Sequence, residues 1–166
     1  AEEIMVKRDI ELSRQTGAKV HLAHISTAGS VKLIRDAKAQ GINVSAEATP
    51  HHLTLTEESV RGKARTGQRY NTNAKVNPPL RTTSDVNAVI QGLSDGTIDC
   101  IATDHAPHAH NDKSGTFEDA AFGISGLDTA LGSLLSLVHS RKISINTLIR
   151  SMTYYPARIV NKPDKC

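Results

Sequence analysis

An α/β fold of parallel strands, the carboxyl-terminal part of a larger (β/α) barrel, is what these 166 residues encode. Apolar, β-capable segments alternate with segments of helical periodicity, and such alternation builds right-handed βαβ units around a parallel sheet. The strand-like segments also end in His, Asp and Pro, at the end where parallel α/β folds assemble their sites. Finally, only three such strands are present, whereas a closed barrel takes eight and about 250 residues. A free-standing three-stranded sheet is the structural alternative, and it would leave its edges open.

The elements follow in order. Residues 1–15 carry Ile4, Met5, Ile10 and Leu12 among charges, and Gly17 suits a helix stop. Residues 18–25 (AKVHLAHI) read as a strand, with Ser26 and Thr27 as candidate caps of the next helix. That helix spans about residues 29–40, with Val31, Ile34 and Ala37 on its apolar face and Gly41 just beyond it. Residues 43–48 form the second strand, which ends in a Pro50-His51-His52 turn. A polar stretch over residues 57–74 reads as a long loop. Ser84 suits the cap of a helix running to about Leu93, with Val86, Val89 and Ile90 turned inward. Residues 98–103 make the third strand, and a loop covers 104–125. An apolar helix follows over 127–138, and 143–159 holds one or two more. The domain is expected to cover 1–160, with 161–166 read as a truncated tail.

Composition narrows the function. The formal net charge is +3, both signs are dispersed, and aromatics make up 3% of the residues, so neither a basic run nor aromatic interleaving marks a nucleic-acid binder. No apolar run approaches the length of a membrane span and no signal peptide is legible. Cys100 and Cys166 give neither a disulfide framework nor zinc-finger spacing, which makes the cytoplasm the expected compartment.

The third strand stops at Asp104-His105-Ala106-Pro107-His108, one carboxylate and two imidazoles where Pro107 ends regular structure. A plain polar turn is the bland alternative. His24 holds the matching position on the first strand, which makes His24 and Asp104 a candidate metal pair. His21 lies three residues before His24, so on a regular strand the two face opposite sides. His21 is therefore expected to point away, toward a helix or solvent. Residues 75–81 (KVNPPLR) are held extended by two prolines and present an amide and a guanidinium, groups suited to a carboxylate.

Five segments together resemble the class I, bacterial-type dihydroorotases of the amidohydrolase superfamily: HLAHIST at 21–27, AEATPHHLTLTEE at 46–58, KVNPPLR at 75–81, IATDHAPH at 101–108 and GISGLDTAL at 123–131. The resemblance implies a metal-dependent hydrolase on a partial (β/α)8 TIM-type barrel, about strands six to eight with flanking helices. It implies the zinc-dependent interconversion of N-carbamoyl-L-aspartate and L-dihydroorotate in pyrimidine biosynthesis, with one or two zinc ions in the complete enzyme. His24 then ends the sixth strand and binds zinc. Asp104 ends the eighth, binds zinc and is the catalytic proton carrier. Asn77 and His108 hold the substrate, His108 at its carboxylate, and the backbone at Phe122 and Gly123 contacts the ring. Arg81 adjoins that surface, and His51 and His52 belong to the signature without a ligand role.

The family's H-x-H pair, its carboxylated lysine or aspartate and its fifth-strand histidine have no counterpart here. Two ligands fall short of the usual three plus water, so the fragment alone is expected to be inactive and to bind zinc poorly. The implied partners are the small substrate, and a second copy or aspartate transcarbamoylase; neither nucleic acid nor membrane is expected. Two alternatives stand beside this reading: a hydantoinase- or allantoinase-like cyclic amidohydrolase, and a non-catalytic scaffold for aspartate transcarbamoylase.

Overall fold

The computed structural model describes residues 1–61 and 70–165. Part of the expected long loop (62–69) and Cys166 lie outside the described residues. The chain runs through α1 (Glu2–Thr16), β1 (Val20–Leu22), α2 (Ala28–Ala39), β2 (Val44–Ala48), α3 (Pro50–Thr54), α4 (Thr83–Asp95), β3 (Cys100–Ile101), α5 (His110–Lys113), α6 (Ala130–His139), α7 (Ile145–Met152) and α8 (Tyr154–Ile159). Among the described residues, no helix is long and apolar enough to cross a membrane.

Local chemistry sets the element ends. Gly17 sits at φ 72° and its N–H donates to the Ser13 carbonyl, closing α1 as only glycine does cheaply. Thr27 caps α2 by accepting from Ser30 N. Thr82, not Ser84, caps α4: its side chain accepts from Asp85 N, and Ser84 lies inside the helix. The expected turn at 50–52 is the short helix α3, because Thr49 accepts from His52 N and Pro50 occupies a first-turn position that needs no N–H. Of the apolar residues noted in α1, Ile4, Met5 and Leu12 are exposed; Val6 and Ser13 are the buried ones.

The three strands pair in the order β1-β2-β3, all parallel. Val20, His21 and Leu22 lie beside Val44, Ser45 and Ala46, and Glu47 and Ala48 lie beside Cys100 and Ile101. The ladder reaches one residue beyond β3 each way, since Asp99 N donates to Ala46 O and Ala102 N to Ala48 O. Leu22, Ala46, Ala48 and Ile101 share one buried cluster with Val31, Ile34, Val89, Leu134 and Leu148 of the helices. Each large side chain there contributes about 1.5–3 kcal/mol by leaving water. Side chains alternate along a strand, so His21, Ser45, Glu47 and Cys100 occupy the opposite face. A doubly wound sheet has helices over both faces; helices over one face with a polar row on the other is the arrangement of a barrel wall.

Candidate metal and substrate site

The strands end abruptly because two residues turn the chain. His24 has φ 55° and Asp104 φ 47°, a left-handed conformation that non-glycine residues adopt at a strain of about 1–3 kcal/mol. Only two other non-glycine residues among those described share it, Arg141 and Asn161, and both follow helix ends. Here the strained pair brings His24 Nε2 to 3.7 Å from Asp104 Oδ1, across the carboxyl end of β2.

Glu47 of β2 stands between them. Its Oε1 is 3.0 Å from His24 Nδ1 and its Oε2 is 3.0 Å from His21 Nε2. The His24 contact is close but out of line for a hydrogen bond, so buried Nδ1 has no aligned partner. His21 Nδ1 lies 2.8 Å from Ser45 Oγ, its register neighbour. The expectation that His21 points away from the cluster is therefore corrected. The regular strand ends at Leu22, and the turn at His24 returns its ring to the face that His21 already occupies.

The charges are mutually supporting. Burial works against the Glu47 carboxylate, but the His21 and His24 contacts outweigh it and hold the group at about 2. His24 is raised from its ordinary value, by the Glu47 contact first and by Asp104 as well, against the effect of burial. Its Nε2 and the Asp104 carboxylate fit a divalent metal. Their 3.7 Å separation exceeds hydrogen-bond distance and approaches the roughly 3.4 Å edge that zinc–ligand bond lengths imply for a tetrahedral shell. Glu47 stands beside the histidine's other nitrogen, the place from which a carboxylate usually supports a metal-binding imidazole.

His51 and His52 sit behind this cluster. His52 is committed to the fold, with Nδ1 2.8 Å from Thr49 Oγ1 and Nε2 2.9 Å from Pro78 O. His51 is 4% exposed and its Nε2 has no hydrogen-bond partner. Burial first, then the charges of His52 and His24, push it down to about 3, so the ring is neutral. Arg81 donates from Nε to Ser26 Oγ and lies 3.5 Å from Glu2 Oε2. Its carboxylate partner is thus Glu2, which also receives the N–H groups of Ser26 and Thr27.

The residues expected at the substrate gather on the neighbouring loops. His108 Nε2 is 2.8 Å from the Phe122 carbonyl. Gly123 (φ 139°) donates its N–H to Lys75 O, and a Cβ there would stand 2.6 Å from Ala106 O and 3.0 Å from His108 Nε2. Glycine is the residue that permits this close approach. The Phe122 ring is exposed, with Lys75 Nζ 4.4 Å from its centre. Lys113 Nζ donates to the Thr72 and Ala121 carbonyls, which ties the 104–125 loop to the segment before Asn77. The Asn77 side chain is exposed. His108, Phe122 and Gly123 thus form one contact group, and His108 Nε2 is engaged by the protein rather than free.

Glu47 escaped the sequence reading. A carboxylate within an apolar strand was the available signal, since buried Glu is rare without partners. A separate cavity of about 440 Å³ lies at the other end of β3, lined in part by Asp95, Asp99, Arg150 and Tyr155. In barrels that face serves stability rather than chemistry.

The whole chain, residues 1–166, matches the amidohydrolase family. It is 52% identical over 163 residues to a protein of Syntrophus aciditrophicus named dihydroorotase, covering 98% of this chain and 37% of that relative. A dihydroorotase of a Thermoanaerobacter species is 52% identical over 161 residues, covering 96% and 36% respectively. Among solved structures, dihydropyrimidinase from Brevibacillus agri superposes with a TM-score of 0.88 at 22% identity, covering 98% of this chain and 36% of its own. The L-hydantoinase of Arthrobacter aurescens gives 0.85 at 27%, covering 96% and 35%. The chain thus spans little more than a third of the length of the proteins it matches, and the wall of strands and one-sided helices is that of a partial barrel. With His24 and Asp104 at its strand ends, the chain belongs to the amidohydrolase family.

Proposed function

We propose that the polypeptide carrying this chain is a zinc-dependent cyclic amide hydrolase that interconverts N-carbamoyl-L-aspartate and L-dihydroorotate. The convergence of His24 and Asp104 at strand ends, in a chain 52% identical to proteins named dihydroorotase, carries the reading.

His24 and Asp104 would hold zinc, with further ligands from elsewhere in the polypeptide. When bound, zinc polarises the amide carbonyl and makes a water acidic enough to supply the nucleophile near neutral pH. Asp104 takes the proton of the attacking water and returns it to the ring nitrogen as the amide C–N bond breaks. Glu47 fixes the His24 ring so that Nε2 faces Asp104. The substrate is anionic, and Asn77 with the imidazole of His108 supplies polar contacts at its carboxylate. The peptide unit Phe122–Gly123 meets the ring edge, where a Cβ would intrude.

Dihydroorotate ring opening by the full-length polypeptide tests this. His24→Ala and Asp104→Asn should abolish turnover, with His24→Ala also lowering zinc content. His108→Ala and Asn77→Ala should raise KM with zinc retained. Loss of zinc in His108→Ala contradicts its assignment. Turnover of hydantoin in place of dihydroorotate would overturn the substrate, and absence of any turnover in the zinc-loaded protein would overturn the enzyme reading.

A further inference from the structure

One layer below the strand ends, His21, Glu47 and Cys100 present a ring nitrogen, a carboxylate oxygen and a thiol sulfur within 4.8 Å of one another. Register makes this cluster. His21 lies beside Ser45 on the neighbouring strand, and Glu47 lies beside Cys100. All four side chains leave the sheet on the face opposite the helix-packed cluster.

We propose that His21 Nε2, Glu47 Oε2 and Cys100 Sγ form an inner cation site for a zinc-like divalent ion, separate from the His24–Asp104 pair. Three features of the geometry support it. First, Glu47 divides its carboxylate: Oε1 faces His24, and Oε2 shares a 3.0 Å hydrogen bond with His21 Nε2, so the two atoms that would turn to an ion already stand together. Second, Ser45 Oγ, 2.8 Å from Nδ1, anchors the His21 ring with Nε2 aimed into the cluster. Such an outer hydrogen bond is the common support of a histidine ligand. Third, nitrogen, oxygen and sulfur donors together select a borderline-soft ion of the zinc type, whereas magnesium and calcium take oxygen alone.

The thiol accounts for one step. Buried Cys100 is pushed up to about 12, by burial first and then by the charges of Glu47 and Asp99. Without an ion it remains S–H. On binding, the S–H bond breaks, a metal–sulfur bond forms and one proton leaves to solvent, so affinity rises with pH. The inference does not rest on the amide-hydrolase reading, because none of its atoms except Glu47 serves that site.

Cobalt(II) is a suitable probe, because thiolate ligation gives a near-ultraviolet charge-transfer band that nitrogen and oxygen ligands do not give. The 166-residue chain carrying Cys166→Ser would be titrated with Co(II) in the absence of other metals. The expected result is a saturable band that zinc displaces. Cys100→Ser, close in shape to the native residue, should remove the band while circular dichroism stays unchanged; Cys100→Ala repeats the test with a different neighbour. His21→Ala should weaken cobalt binding at least about tenfold, the size expected for loss of one ligand or its support. Asp104→Asn, at the other site, should leave the band intact. No band in the parent, a band that survives both Cys100 variants, or a band lost in Asp104→Asn would each overturn the inner site.

Discussion

Replacing His51 with leucine should flatten the stability of the chain against acid, and the structure sets the size of the effect. In the fold His51 is 4% exposed, its Nε2 has no partner, and its pKa is pushed down to about 3 by burial and by the charges of His52 and His24. Unfolded, the ring titrates at its ordinary value near 6.5. Between those two values the unfolded chain binds a proton that the folded chain refuses, so stability falls as pH falls. From about pH 7 to about pH 5 the loss from one such group is about 2 kcal/mol in full, and about 1 kcal/mol if water reaches part of the ring. Glu47, at about 2 in the fold, contributes stability that disappears only below the ordinary carboxylate range, so it hardly enters this window. His24 acts in the opposite direction, because its raised pKa gives stability at low pH that is lost as pH rises through its folded value. His24 and His52 remain in both proteins and largely cancel in the comparison. Urea unfolding in metal-free buffer at the two pH values, followed by circular dichroism, gives the difference directly. His51→Leu should lose about 1–2 kcal/mol less than the parent on acidification. Equal losses would show that His51 protonates normally in the fold, and the account of its burial would be wrong.

Glu47→Gln removes the carboxylate from both histidines, so the His24 titration followed by NMR should move down toward the ordinary value; an unmoved His24 would detach Glu47 from it. Gly123→Ala forces a side chain into a φ of 139° and against Ala106 O, at a strain of about 1–3 kcal/mol. That change should lower the thermal midpoint and shift the His108 ring signals, whose bond to Phe122 O is adjacent. Leu134→Ala empties a fully buried position in the main cluster and should cost about 2–5 kcal/mol in urea unfolding, with the titration of His24 unchanged.

The sequence was legible where chemistry and periodicity coincide. The alternation of Val20–Leu22, α2, Val44–Ala48, α4 and Cys100–Ile101 follows from apolar spacing, and His24 and Asp104 stand out as polar residues ending apolar runs. Parity failed at His21 because it assumes a regular strand, and His24 breaks the strand with a positive φ that its residue type does not announce. The helix at Pro50 was hidden because proline both ends and begins helices; only the Thr49 cap distinguishes the two. Glu47 drew no reading of its own, because nothing local says that His21 and His24 from another segment will close on it. Arg81 looked available to a substrate, but its partner Glu2 lies far back in the chain.

The left-handed backbone at His24 and Asp104 sets two kinds of selection against each other. Glycine would relax the chain at either position, so a population screened for heat resistance alone should drift toward glycine at 24 and 104. A population screened for turnover should retain the imidazole and the carboxylate and accept the strained bends. Stabilised variants found by the first screen would then be recognisable by the loss of the two side chains on which the proposed chemistry depends.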